Sequence, residues 1–262
     1  MADSNKVSQS RNQFREPLSQ REVAAIASDA EVKVLQTDSP ASLATWELLN
    51  EAFFSRRPDV ELRVYGCYST NCDLSFTRVL SNVRRFAADS LQHATGVEHL
   101  GGIRNLEALS VGIFDLESFD FLNDVSDNLR ELALGATRSK KPGLSMLPRF
   151  GHLREIHLEG QQKGIDALSQ LRCLEKVTLR SISTPNLEYL KPLDKMWSLD
   201  LKLGGSDVSA IRGMGNIKYF EAWQVRGLAD IALDDDDQPC SAWRKRASAG
   251  RHMGNRDEPT SA

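Results

Sequence analysis

A short apolar phrase returns every 21 to 24 residues from about Leu62 to Ala222. A chain with a fixed period of this length must stack like units, because no single unit can bury its own apolar face. The clearest forms are Leu106-x-x-Leu109-x-Val111, Leu129-x-x-Leu132-x-Leu134, Leu153-x-x-Ile156-x-Leu158 and Leu174-x-x-Val177-x-Leu179. Met196-x-x-Leu199-x-Leu201 and Ile217-x-x-Phe220-x-Ala222 continue the series.

The second position of each phrase is read as the first inward residue of a short strand: Leu62, Phe86, Leu109, Leu132, Ile156, Val177, Leu199 and Phe220. Two positions on come Val64, Ala88, Val111, Leu134, Leu158, Leu179, Leu201 and Ala222. Side chains two apart share one face of an extended strand, so these strands are expected to stack as a parallel sheet. Upstream of the later strands the apolar step changes to three, as in Ile165, Leu168, Leu171, Leu174 and again in Leu187, Leu190, Leu193, Met196. Val208, Ile211, Met214 and Ile217 repeat it. A strict step of three suits a 3₁₀ turn, where residues i and i+3 eclipse. A helical solenoid is the rival reading, but its units run about 33 to 47 residues and are too long for this period.

With these registered phrases the chain resembles a leucine-rich repeat protein, with short repeats similar to bacterial internalin-type and phosphatase-regulator arrays. The resemblance covers residues 58–231. It implies an α/β solenoid, a right-handed arc with a parallel β-sheet on the concave face and short helical or 3₁₀ segments on the convex face. There is one departure. The asparagine or cysteine that this family places three residues after the last strand leucine is replaced by Phe114, Thr137, Gln161, Ile182, Gly204 and Val225. The side-chain ladder is therefore expected to be missing and the convex side irregular. Asn82, Asn105, Asn128 and Asn216 instead precede their phrases, at the turn into the strand.

A solenoid must cover both of its ends. Residues 39–57 are assigned as an N-terminal capping helix, with Ser39 as N-cap, Pro40 at the first helical position and an apolar stripe of Leu43, Trp46, Leu49 and Phe53. Residues 1–38 are read as a mostly flexible segment, disordered up to about Arg15, although Ser19 with Glu22 has capping-box spacing. At the other end Val225, Leu228 and Ile231 keep the step of three, but Asp234, Asp237 and Cys240 stand where the next apolar residues should fall. Residues 232–262 are therefore expected to form a disordered tail, either a genuine acidic-then-basic one or the product of a frame that ends abnormally. An uncovered last unit would leave Met214, Ile217, Phe220 and Leu228 partly wet and promote self-association through that end.

Composition limits function loosely. The chain is 40% hydrophobic and 26% charged with a net charge of −3, which gives no argument for nucleic-acid or membrane partners. The start lacks an apolar signal core, and the four cysteines are read as reduced thiols in a cytoplasmic protein. No nucleophile elbow, phosphate loop, HExxH or dinucleotide fingerprint is present, so neither enzyme chemistry, nor a cofactor, nor a metal site is expected. The implied function is recognition of a partner protein on the concave face. The outward residues of the later strands are charged or aromatic, and His157, Thr178, Arg180, Asp200, Lys202, Tyr219, Glu221 and Trp223 form the candidate patch. The alternatives are a regulatory or inhibitory subunit of an enzyme, or a truncated repeat protein without retained function.

Overall fold

The computed structural model describes residues 6–8, 10–66, 71–139, 142–226 and 242–246. Its strands are β1 (Lys6–Ser8), β2 (Arg11–Gln13), β3 (Val34–Thr37), β4 (Glu61–Tyr65), β5 (Cys72–Asp73), β6 (Arg85–Leu91), β7 (Ala94–Thr95) and β8 (Ala108–Ile113). They continue as β9 (Glu131–Leu134), β10 (Glu155–Glu159), β11 (Lys176–Arg180), β12 (Ser183–Asn186), β13 (Ser198–Lys202), β14 (Gly205–Asp207), β15 (Tyr219–Trp223) and β16 (Ala242–Arg246). Twelve of them form one sheet in the order β1-β2-β3-β4-β6-β8-β9-β10-β11-β13-β15-β16. Only β1 and β2 pair antiparallel; every later pair in this sheet is parallel. Two smaller parallel pairs, β5 with β7 and β12 with β14, lie outside it.

The register follows the apolar phrases residue by residue. Leu62, Phe86, Leu109, Leu132, Ile156, Val177, Leu199 and Phe220 are successive partners across the sheet, and so are Val64, Ala88, Val111, Leu134, Leu158, Leu179, Leu201 and Ala222. All are buried. A slip of one residue would turn each inward pair to solvent, which is why the register is so strongly specified.

The step of three becomes 3₁₀ helix. Segments Ser75–Val79, Val97–Gly102, Asp120–Asn123, Leu147–Arg149, Ile165–Gln170, Glu188–Leu190 and Ser209–Gly213 precede β6, β8, β9, β10, β11, β13 and β15 in turn. Backbone bonds of the i→i−3 type carry the beat on past each helix, as in Leu171 N–H to Leu168 O and Leu174 N–H to Leu171 O, both 3.0 Å. Leu168, Leu171 and Leu174 have no exposed surface. Each such side chain contributes about 1.5–3 kcal/mol on burial.

The chain leaves the sheet through a left-handed residue placed two positions after the second inward one. It is Gly66 (φ +74°), Ser90 (+56°), Gly160 (+86°), Ser181 (+53°), Leu203 (+55°) and Gln224 (+52°). The turn does not forfeit the sheet bond: Ser181 N–H still reaches Lys202 O at 2.7 Å and Leu203 N–H reaches Trp223 O at 3.0 Å. Four of these six positions therefore carry a side chain in a conformation that costs an L-residue about 1–2 kcal/mol.

The missing ladder is replaced in part. Gln161, fully buried, donates Nε2 to Gly135 O of the preceding repeat at 2.8 Å. At the turn into the strand, Asn105 Nδ2 donates to Ser81 O at 3.0 Å, and Asn216 Nδ2 donates to Leu193 O at 3.0 Å and Met196 O at 2.5 Å. Asparagine thus joins adjacent repeats one turn later than the family pattern has it.

The structure corrects the reading of the N-terminal 38 residues. They hold β1 to β3 and helix α1 (Gln20–Ser28), whose Ser19–Glu22 capping box is complete, and Phe14, Val23, Val32 and Leu35 are buried. Asn12, Leu35 and Leu62 are in register across β2, β3 and β4, and Gln13, Gln36 and Arg63 follow. The repeat therefore begins earlier than the leucines show, because Asn12 and Thr37 put a polar residue in one of the two inward places.

The capping helix also shifts. Helix α2 spans Leu43–Leu48 and runs on into a π-turn at Leu49–Phe54, with Ser42, not Ser39, as its N-cap. The carboxylate of Glu16 selects that start by accepting from Ser42 N–H (2.8 Å), Ser42 Oγ (2.5 Å) and Thr45 Oγ1 (2.5 Å). These hydrogen bonds hold the Glu16 carboxyl below its ordinary range. Pro40 consequently stays outside the helix and Leu43 is 43% exposed, while Trp46, Leu49 and Phe53 are buried as the stripe predicts. Trp46 stacks on Phe76 at 4.0 Å and meets Phe14 edge-on at 5.6 Å, so the cap joins the N-terminal segment to the first 3₁₀ helix.

At the far end Met214, Ile217 and Phe220 are buried rather than wet. The backbone of β16, placed by the sequence in a disordered tail, pairs with β15 from Tyr219↔Ala242 to Trp223↔Arg246. Leu228, Ile231, Asp234, Asp237 and Cys240, with the rest of residues 232–262, lie outside the described residues.

Candidate interaction face

One side of the large sheet is filled by the 3₁₀ segments; the other presents three in-register rows of side chains, half-buried except for the buried Ala87 and Ala108. The middle row runs Arg63, Ala87, Ser110, Ala133, His157, Thr178, Asp200, Glu221. One flanking row includes Glu61, Arg85, Ala108, Glu131, Glu155, Lys176, Ser198 and Tyr219, and the other Tyr65, Asp89, Glu159, Arg180, Lys202 and Trp223.

The eight residues picked from the sequence fall together. His157, Thr178, Asp200 and Glu221 are consecutive partners in the middle row; Arg180, Lys202 and Trp223 are consecutive beside them, and Tyr219 closes the patch across β15. Their charges are largely engaged within the patch. Arg180 Nε lies 3.0 Å from Glu159 Oε1, Lys202 Nζ 2.5 Å from Asp200 Oδ2, and Tyr219 OH donates to Glu221 at 2.5 Å. Asp200 Oδ1 is buried with no hydrogen-bond donor among the described residues. Burial, reinforced by Lys202 and Arg180, lowers the pKa of His157, so the imidazole is neutral in the patch; Glu159 and Asp200 act the other way.

The first strands form a second polar cluster around Arg63 and Tyr65. Arg63 forks onto Asp89 (2.8 and 2.5 Å), donates to Gln36 Oε1 (3.1 Å) and lies over the Tyr65 ring at 4.4 Å. Tyr65 OH in turn donates to Gln13 Oε1 at 3.0 Å. Gln13 and Gln36 stand on β2 and β3, strands that carry no leucine phrase, so nothing in the pattern pointed to them. Glu61 nearby has its pKa raised, chiefly by burial.

Between the two clusters the face sinks. Ser110, Gly112, Ala133 and Gly135 floor a depression of about 480 Å³ walled by Asp89 on one side and His157 and Glu159 on the other. The floor is tight: a Cβ on Gly135 would stand 2.9 Å from the Gly112 Cα. Small side chains also let Arg85 on β6 reach over Ala108 on β8 to Glu131 on β9, at 3.0 and 2.5 Å. The arrangement offers recognition chemistry, with hydrogen-bond acceptors, paired charges and aromatic edges on a rigid backbone. Among the described residues no helix is long and apolar enough to cross a membrane.

No protein-family model matches this chain, and no curated protein sequence does. Solved structures do. An internalin C2 from Listeria monocytogenes is 14% identical, with 79% of this chain and 84% of that one covered and a TM-score of 0.56. An internalin (inlF) from Listeria monocytogenes is 13% identical over 86% of this chain and 77% of that one, with a TM-score of 0.51. The class of the molecule follows from these likenesses and the long parallel sheet backed by short helical segments: it is a leucine-rich repeat solenoid.

Proposed function

We propose that the chain is a non-catalytic interaction module that binds a partner protein on the open face of its sheet, through the patch on β10, β11, β13 and β15. The observation that carries this reading is the gathering of Arg180, Tyr219 and Trp223 with Asp200 Oδ1, an acceptor without a donor among the described residues, on three adjacent strands in register. Arginine, tyrosine and tryptophan are the side chains that most often dominate binding energy, and Arg180 and Tyr219 are already ordered by their pairs with Glu159 and Glu221. The test is quantitative capture and cross-linking with the full chain beside the Arg180→Ala/Trp223→Ala double variant. Partner affinity should fall more than about tenfold with an unchanged circular dichroism spectrum. Equal capture by both proteins would remove the patch from consideration.

A further inference from the structure

A second feature lies at the edge of the sheet, where each chain segment turns into its strand. The residues two positions before the first inward ones form a column of their own, which ahead of β6, β8, β9, β10 and β11 runs Arg84, Glu107, Arg130, Arg154 and Glu175. Backbone bonds of 2.7, 2.7, 2.8 and 2.7 Å, each from the N–H of one member to the carbonyl of the one before, hold them in line. Charge alternates down this column except at one place. Glu107 pairs with Arg84 at 3.1 Å and Glu175 with Arg154 at 3.5 Å, which leaves Arg130 without an ion pair among the described residues. Arg130 and Arg154 stand immediately before neighbouring strands β9 and β10, about 4.8 Å apart at the backbone, where like charges repel unless something neutralises them.

A cleft of about 340 Å³ opens at this break, and Asn128 and His152 from the adjoining turns also line it. The three arginines and Glu107 give its lining a formal charge of +2 with the histidine neutral. We propose that this cleft is a binding site for a phosphoryl group, held by the Arg130 fork with Arg154, Asn128 and His152 around it. The planar guanidinium offers paired N–H donors that match two phosphate oxygens, and a dianion cancels the surplus charge. The site is separate from the open face and does not rest on its function.

The test titrates inorganic phosphate and, separately, O-phosphoserine into the full chain at constant ionic strength, read by calorimetry and by the amide shifts of Arg130, His152 and Arg154. Saturable binding should weaken at least about tenfold in Arg130→Gln, whereas Glu107→Gln should tighten it by removing the competing carboxylate. Lys218→Gln, which removes an equal charge further along the same column, beyond Glu175 and Trp197 and outside the cleft lining, should leave binding unchanged. Tighter binding of O-phosphoserine than of phosphate assigns a phosphorylated chain as the source; the reverse order assigns a free phosphate. Binding that is absent in the wild type, equal in Arg130→Gln, or weakened as much by Lys218→Gln overturns the site.

Discussion

Asn50, buried in the π-turn of the N-terminal cap, and Asn82, at the turn into β6, are bonded twice: Asn82 N–H donates to Asn50 Oδ1 at 2.9 Å, and Asn82 Nδ2 donates to Asn50 O at 3.2 Å. The second of these is the same asparagine-to-carbonyl link that joins later repeats through Asn105 and Asn216. The cap is thereby attached to the array by the array's own device. Its π-turn bond, Ser55 N–H to Asn50 O at 3.2 Å, uses the same carbonyl.

Replacing Asn50 by leucine should therefore destabilise the protein by about 1–3 kcal/mol, since it strands the Asn82 N–H without an acceptor in a partly buried place. Denaturant unfolding of Asn50→Leu measures this. A change of only a few tenths of a kcal/mol would mean that the cap is held by its apolar contacts alone.

Leu203 is 38% exposed and sits at φ +55°, so its side chain gains little from burial while its backbone is strained. Leu203→Gly should raise stability by about 1 kcal/mol, whereas the same exchange at an ordinary strand position lowers it. Thermal unfolding decides the sign. The neighbouring Gly204 should tolerate nothing larger, because a Cβ there would meet Ile182 O at 2.1 Å.

The N-terminal segment gives the sharpest contrast between sequence and structure. Phe14 is fully buried, edge-on to Trp46, with its N–H on Gln36 O at 2.9 Å. Phe14→Ala should cost about 3–5 kcal/mol, as expected for a core aromatic. Residue 14 in a flexible arm would leave the unfolding midpoint where it is.

Two open-face groups set a pH dependence of opposite sign. His157 has a lowered pKa in the folded chain, so below about pH 6.5 the unfolded chain takes up the proton more readily and stability is lost on acidification. His157→Gln should flatten that limb. Glu61 has a raised pKa, so the folded chain holds its proton longer and loses stability as pH rises through the carboxylate range. Glu61→Gln should raise the melting temperature near neutral pH, and that gain should vanish by about pH 4. Melting curves of both variants across this range check the two signs.

Much of this molecule is legible in a line of leucines. The spacing of Leu109 from Val111, and of Leu168 from Leu171, fixes strand against 3₁₀ helix because a side chain's direction depends only on local backbone period. The same periodicity fixes which residues face solvent, and so His157, Thr178, Arg180, Asp200, Lys202, Tyr219, Glu221 and Trp223 come together as their positions in the phrase require. Where an inward place is polar, the pattern fails: Asn12 and Thr37 hide β2 and β3, and a carboxylate 26 residues upstream, Glu16, decides that α2 begins at Ser42. The ion pairs were equally out of reach, since Arg85 finds Glu131 by crossing a strand, and Arg130 has no ion pair among the described residues while Glu107 and Glu175 pair with Arg84 and Arg154. Periodicity is local and repeats, so one sequence displays it; who pairs with whom depends on which side chains the stacked strands bring within a few ångströms of each other, and that only the tertiary structure decides.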